Sequence, residues 1–217
     1  MKITEISGFL ENGMWGYGPP FPEVKIEQIA SIDDHGYEGH KITLSTLSGT
    51  YLETAAHRFK GAPTVDKIPP KNLIKEAAVI KLSFHKKPCE HITVEELDKS
   101  GVEVKEGDAL LICTGWDKNW NRDNFVIDSP HFTEEATDWI IRKKVSLWGA
   151  DLPCFDDRRN PLGLLSKFYK ISGGLVLAPL VGLEQIDSSL VKLIVLPLPV
   201  RGVCAVPSRV LVIEDGW

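Results

Sequence analysis

The sequence lacks long hydrophobic runs and any excess of basic charge, and each absence excludes a class of protein. The longest apolar stretch, residues 190–200, is interrupted by one lysine and two prolines, whereas a membrane-spanning helix needs about 20 apolar residues. The 25 basic and 30 acidic side chains give a net charge of −5, which provides no basic surface for nucleic acid. We therefore expect neither a membrane span nor a nucleic-acid partner.

Cysteine is also scarce, and its spacing excludes the common metal and redox motifs. The four cysteines lie far apart, at positions 89, 113, 154 and 204, so neither a zinc ribbon nor a Cys-x-x-Cys redox pair is expected. The N-terminal residues MKITEISGFLENG have no apolar core of the kind that a signal peptide needs. These features together indicate a cytoplasmic protein with free thiols.

The remaining composition fits one α/β domain that spans residues 1–217. Apolar residues make up 43% of the chain, enough to bury a core, and glycine and proline are spread without forming a linker. Short runs rich in branched apolar residues predict strands at 24–30, 77–84, 109–114, 145–150, 175–181, 192–200 and 209–213. Most of these runs are apolar throughout, which is typical of strands that are covered on both faces.

Three segments predict helices. In residues 92–101, Thr93 and Glu96 have the spacing of a capping box. In residues 131–144, Thr133 precedes two glutamates, and basic residues follow at the other end, as the helix dipole favours. A shorter helix is expected at 164–170. The chain therefore reads as a strand-rich mixed sheet with few helices.

The segment LSGTYLETAAHRF, residues 47–59, contains the side chains best suited to catalysis. In an extended chain, Tyr51, Glu53 and His57 share one face, because side chains alternate along a strand. A carboxylate near an imidazole is the minimum set for general acid–base catalysis. The alternative is an exposed strand whose polar side chains are simply solvated.

This segment resembles the signature His-x-Gly-Thr-His-x-Asp-x-Pro-x-His of the cyclase family of metal-dependent hydrolases, which includes bacterial kynurenine formamidase and isatin hydrolase. Further similarity follows in order through ENGMWGYGPPFP, ITVEELDKSGVEVKEGDALLICTGW, WGADLPCFDD and PSRVLVI. The resemblance implies a swivelling β/β/α domain in a homodimer or higher homo-oligomer. It also implies hydrolysis or cyclisation of a small cyclic or aryl amide, lactone or related carbonyl compound.

The resemblance places the family's metal ligands on Leu47, Tyr51, Glu53, Ser172 and Glu184. Leucine has no donor atom, and a phenol with a pKa near ~10 binds metal well only as phenolate. Zinc prefers about four nitrogen, sulfur or oxygen donors. We therefore expect no cofactor, or at most weak binding of manganese, magnesium or zinc between the two glutamates.

The resemblance and the side-chain chemistry together suggest roles for individual residues. His57 is expected to carry the proton, with Glu53 and Glu184 as acid, base or polarising groups. Tyr17 and Tyr51 are expected to orient the substrate. Two alternatives stay open: a metal-independent cyclase or dehydratase that uses His57 and Glu53, and a non-catalytic small-molecule-binding protein.

Three other features have two interpretations each. Trp116 lines a substrate pocket or packs at a subunit or loop contact. Cys154 is a nucleophile if a base lies beside it, and otherwise a buried structural thiol. The charged residues 156–159 form a solvated loop or pair across a dimer interface.

Overall fold

The computed structural model describes residues 1–214, and within them the chain forms twelve strands and four α-helices. The strands are β1 (Lys2–Glu5), β2 (Lys25–Ala30), β3 (Gly39–Thr43), β4 (Tyr51–Glu53), β5 (Ile74–Lys81), β6 (His91–Ile92), β7 (Ala109–Cys113), β8 (His131–Phe132), β9 (Leu147–Ala150), β10 (Leu175–Ala178), β11 (Leu190–Pro197) and β12 (Ala205–Glu214). The helices are α1 (Ile32–His35), α2 (Val94–Lys99), α3 (Glu134–Arg142) and α4 (Leu164–Ser172).

Seven strands close into a barrel-like sheet in the order β12, β11, β5, β7, β9, β10, β4 and back to β12. Closure depends on β4, which pairs antiparallel with β10 on one side and with β12 on the other. The same edge of β12 pairs farther along with β1, which lies outside the ring. β2 with β3, and β6 with β8, form separate two-stranded sheets.

The apolar strands at the centre are covered on both faces. β5, β7, β9 and β10 run parallel. In β7, Leu111 faces the barrel interior, while Ile112 joins the outer core against the helices. Leu97 of α2, Trp139 of α3 and Phe168 of α4 pack into that outer core. Because side chains on both faces of these strands are buried, polar residues do not alternate with apolar ones, and this explains the continuous apolar runs.

Most elements expected from the sequence are present, with shifted ends. The run at 77–84 is a strand that begins at Ile74 and ends at Lys81. The Thr93 capping box is formed, and the Thr133 side chain accepts a hydrogen bond from the backbone of the third residue after it. The expected third helix extends to Ser172. No helix within residues 1–214 is long and apolar enough to cross a bilayer.

Candidate functional site

A cavity of about 510 Å³ lies beside β4, on the opposite side of the strand from the barrel interior that Leu52 faces. Its walls come from three segments that are distant in sequence: 17–21, 47–58 and 153–165. Tyr17, Tyr51, Glu53 and His57, all singled out from the sequence, line it together with Leu47. The fold thus gathers most of the expected site residues around one small-molecule-sized space.

The entry into β4 is held by the pair Gly49 and Thr50. Gly49 has a φ of +63°, and a Cβ there would lie 2.7 Å from Cδ2 of Leu10. The Thr50 hydroxyl donates to the carbonyl of Pro179 at 2.5 Å and accepts from the amide of Gly8 at 3.0 Å. This pair therefore anchors β4 to the end of β10 and to the N-terminal loop.

The chain leaves β4 in a way that corrects one expectation. The strand ends at Glu53, and Thr54 caps a 3-10 turn by accepting a hydrogen bond from the amide of Ala56. Thr54 also bonds the carbonyl of Cys204 through both its amide and its hydroxyl. His57 therefore reaches the cavity from a turn, and not by continuing an extended face.

Glu53 is a buried carboxyl group at the wall of the cavity, with only 3% of its surface exposed. Tyr169 of α4 donates a hydrogen bond to its Oε1 atom at 2.7 Å. Burial raises the pKa of Glu53 to about 7, although the Tyr169 hydrogen bond and the charge of Arg58 both lower it. Near neutral pH the protonated and ionised forms are therefore both populated.

Two neutral phenols form a polar wall beside Glu53. The hydroxyl of Tyr17 donates to the carbonyl of Pro153 at 2.7 Å and lies 2.8 Å from the hydroxyl of Tyr51. Because the Tyr17 proton goes to Pro153, Tyr51 must be the donor in the bond between the two phenols. Burial raises the pKa of both groups well above 10, so both stay uncharged.

His57 is half-buried and electrically neutral at pH 7. Its Nδ1 atom lies 3.7 Å from Sγ of Cys204. Burial and, to a lesser degree, the charge of Arg58 lower the pKa of the imidazole. A neutral imidazole at the cavity can accept a proton, and the proton-carrying role of His57 stays a prediction.

The structure does not bring Glu184 to Glu53, which corrects the expectation that these carboxylates face one another. Glu184 lies on a 3-10 turn after β10 and pairs with Lys118 at 2.9 Å and with His85. It is not among the residues that line the cavity. The two glutamates therefore do not line the same cavity.

Trp116 and Ser172, two further residues considered from the sequence, do not line the cavity, and Cys154 lines it as an unreactive thiol. Trp116 is buried in the core, where its indole donates to the carbonyl of Phe125 at 2.9 Å. The Ser172 hydroxyl donates to the carbonyl of Phe168 at the end of α4. Cys154 does line the cavity, but burial raises its pKa to about 12, so its thiol stays protonated.

The residues present do not fit a resident divalent metal ion. In the part of the chain that the structure describes, no three His, Cys, Asp or Glu side chains lie close enough to hold one. Leu47 contributes carbon atoms only, and the neutral phenol of Tyr51 is a poor ligand. The cavity therefore offers proton-transfer groups and not a ligand set.

Three residues that the sequence analysis did not single out belong to this site. Tyr169 holds Glu53, and Arg58 and Arg158 line the cavity. Tyr169 could have been found, because a tyrosine on the buried face of a helix needs a partner for its hydroxyl. The arginines carry no such signal, since their position depends on how two loops fold.

Comparison with known proteins agrees with the resemblance seen in the sequence. The isatin hydrolase A of Ralstonia solanacearum is 21% identical and covers 97% of this chain and 91% of its own, with a TM-score of 0.83. An isatin hydrolase bound to the product analogue thioisatinate is 21% identical, with coverages of 99% and 93% and a TM-score of 0.85. A predicted metal-dependent hydrolase from Bacillus stearothermophilus is 20% identical, with both coverages at 97% and a TM-score of 0.79.

At these identities the structural likeness shows the fold alone, and no curated protein sequence is detectably similar to the chain. The family model described as "Putative cyclase" matches residues 4–157, which is more than half of the sequence. By that match, the chain belongs to the cyclase family.

Proposed function

We propose that the chain is an enzyme that acts on a small cyclic or aryl amide, lactone or related carbonyl compound by acid–base catalysis. One observation carries the proposal: Glu53, a buried carboxyl group with a pKa of about 7, lines the same cavity as the neutral imidazole of His57. A general acid or base works best when its pKa is close to the working pH. Strongly shifted pKa values in a cleft cluster at functional sites.

The two groups divide one reaction between them. In hydrolysis, His57 takes a proton from water as the water oxygen attacks the carbonyl carbon. The protonated Glu53 gives its proton to the nitrogen or oxygen that leaves, so that water is added across the broken bond. The proton on His57 then returns to the Glu53 carboxylate through solvent. Ring closure with loss of water uses the same transfers in reverse.

The test is turnover of a panel of aryl formamides, cyclic imides and aryl lactones, followed by chromatography with mass detection. We expect Glu53→Gln to lower kcat by about 100-fold or more, because general acid–base catalysis contributes that much. His57→Ala should lower it similarly while the fold stays intact. Glu184→Gln, which removes a glutamate outside the cavity, should change kcat less than about twofold.

Dialysis against a chelator provides a second readout. Because the cavity does not present a metal ligand set, turnover should survive chelation. Activity that disappears on chelation and returns with zinc or manganese would overturn the metal-independent mechanism. Full activity in Glu53→Gln would remove Glu53 from it.

A non-catalytic binding protein is the competing outcome of the same panel. Compounds that raise the melting temperature without being consumed would identify binding alone.

A further inference from the structure

We infer that the compound bound in this cavity is an aromatic ring that carries a carboxylate, and that Arg158, together with Arg58 in the wall of the same cavity, binds the negative charge. The inference rests on the proposed function in one respect, because it takes the same cavity as the substrate site.

Arg158 and Arg159 are adjacent on one loop, but their guanidinium groups contact different partners. Arg159 forms a two-point pair with Asp157, at 2.8 Å from Nε to Oδ1 and 2.9 Å from Nη2 to Oδ2. Its guanidinium is therefore already matched by a carboxylate. Arg158 turns toward the cavity, where its guanidinium carbon lies 5.6 Å from the centre of the Tyr17 ring. Stacking on an aromatic ring leaves the hydrogen-bonding edge of a guanidinium available.

Neither cavity arginine has a carboxylate partner within salt-bridge distance among residues 1–214. The nearby acid Asp156 is engaged elsewhere, since its two oxygens accept hydrogen bonds from the amides of Leu162 and Leu164 at 3.0 and 2.9 Å. Glu53, the other acid at the cavity, is held by Tyr169. The cavity thus has two guanidinium groups in its wall that no carboxylate contacts directly, although Asp156 and Glu53 also line it, and this leaves their hydrogen-bonding edges available to an anionic ligand.

The rest of the wall fits an aromatic ring. Phe21, Leu47 and Phe155 line the cavity together with the two neutral phenols. Its volume of about 510 Å³ lies within the range of small-molecule pockets. An apolar wall beside a pair of unmatched guanidinium groups is complementary to a planar ring with a carboxylate at its edge.

The test compares two fluorescent probes of one shape, 2-naphthoate and neutral 2-naphthamide, by titration against the full chain. We expect the wild type to bind 2-naphthoate at least about fivefold more tightly, because the rim is partly exposed and a charge pair there is worth about 1 kcal/mol. The preference should weaken as salt is added, since salt screens exposed charges.

The variants assign that preference to one residue. Arg158→Gln should reduce it to less than about twofold, and Arg58→Gln should reduce it in part. The matched control Arg159→Gln, which changes the adjacent arginine paired with Asp157, should keep the full preference. Equal binding of both probes by the wild type, no binding of either, or a full preference in Arg158→Gln would each overturn the inference.

This outcome is separable from that of the proposed function, because it is a binding measurement that needs no turnover. If no carbonyl compound is consumed but 2-naphthoate is preferred through Arg158, the enzymatic proposal fails and the ligand class stands. If turnover depends on Glu53 but the probes bind equally, the ligand class fails alone.

Discussion

Glu53 illustrates how burial changes the chemistry of a single side chain. In the sequence it is one of 30 acidic residues, and its type alone implies a carboxylate that is ionised at neutral pH. In the structure its charge is removed from water, and one phenol donates to it. The cost of desolvation exceeds the gain from that hydrogen bond, so its pKa rises to about 7.

The same shift makes a prediction about stability. A carboxyl group whose pKa is raised on folding favours the folded state most at low pH, and that contribution is lost between about pH 4.5 and pH 7. Relative to the wild type, Glu53→Gln should therefore gain about 3 kcal/mol in free energy of unfolding from pH 4 to pH 8. Urea unfolding at both pH values measures it. A difference that does not vary with pH would contradict the raised pKa of Glu53. Other titrating groups, such as buried Asp151, cancel in the comparison.

Tyr169 is a positioning residue that acts through its hydrogen bond to Glu53, and its effect on the pKa of Glu53 can be measured. Its hydroxyl stabilises the ionised form of Glu53, so Tyr169→Phe should raise the pKa of Glu53 further, by about 1. A carbon-13 NMR titration of the glutamate carboxyl groups measures this. If the pKa of Glu53 is unchanged in the variant, the hydrogen bond does not contribute as we describe.

At the level of elements, one buried side chain joins the ends of two neighbouring strands. β7 and β9 lie side by side, and Asp151, just after β9, joins their ends. Its fully buried carboxyl accepts hydrogen bonds from the amide and hydroxyl of Thr114 and from the amide of Gly115. This junction holds the start of the loop that continues to Pro153 and the cavity.

We predict that Asp151→Asn destabilises the protein. The amide nitrogen of asparagine cannot accept a hydrogen bond, so at least one buried donor of Thr114 or Gly115, which follow β7, loses its partner, at a cost of about 1–3 kcal/mol. Urea unfolding at pH 4 provides the measurement, because at higher pH the raised pKa of Asp151 makes its ionisation oppose folding and offsets the lost hydrogen bond. The control Asp123→Asn, at an exposed position, should change the free energy of unfolding by less than about 0.5 kcal/mol. Equal effects of the two variants would show that the hydrogen bonds of Asp151 do not contribute to the free energy of unfolding.

At the level of the whole molecule, closure of the barrel assembles the site. β4 has only three residues, yet it bridges β10 and β12, and Leu52 at its centre is fully buried in the barrel interior. The side chains on either side of Leu52 point to the cavity. The strand that closes the barrel is therefore also the strand that carries Tyr51 and Glu53.

Leu52→Ala should consequently weaken both the fold and the site. Loss of the buried leucine side chain beyond Cβ should lower the free energy of unfolding by about 2–5 kcal/mol. Hydrogen exchange should quicken at the amides of Thr54 and Ser208, which bond across the β4–β12 seam. Ile29→Ala, at a position that is 63% exposed, is the matched control and should alter neither quantity appreciably. Unchanged exchange at the seam in Leu52→Ala would argue against β4 as the closing strand.

Local patterns determined much of the secondary structure from the sequence alone. The capping box at Thr93, the cap at Thr133 and the apolar strands all depend on residues that are close in the chain. The segment 47–57 could likewise be identified as the chemical part of the molecule. Its alternation placed Tyr51 and Glu53 correctly, because a strand does lie there.

Only the tertiary structure decided which distant residues meet. It excluded Glu184 and Trp116 from the cavity, added Arg58 and Arg158 to its wall and placed Tyr169 against Glu53, because loop paths and helix docking depend on contacts across the whole chain. It also set the protonation behaviour of the site, since desolvation is a property of the surroundings and not of the residue type. The sequence by itself determined which groups could do chemistry, and barrel closure decided which of them share one buried space.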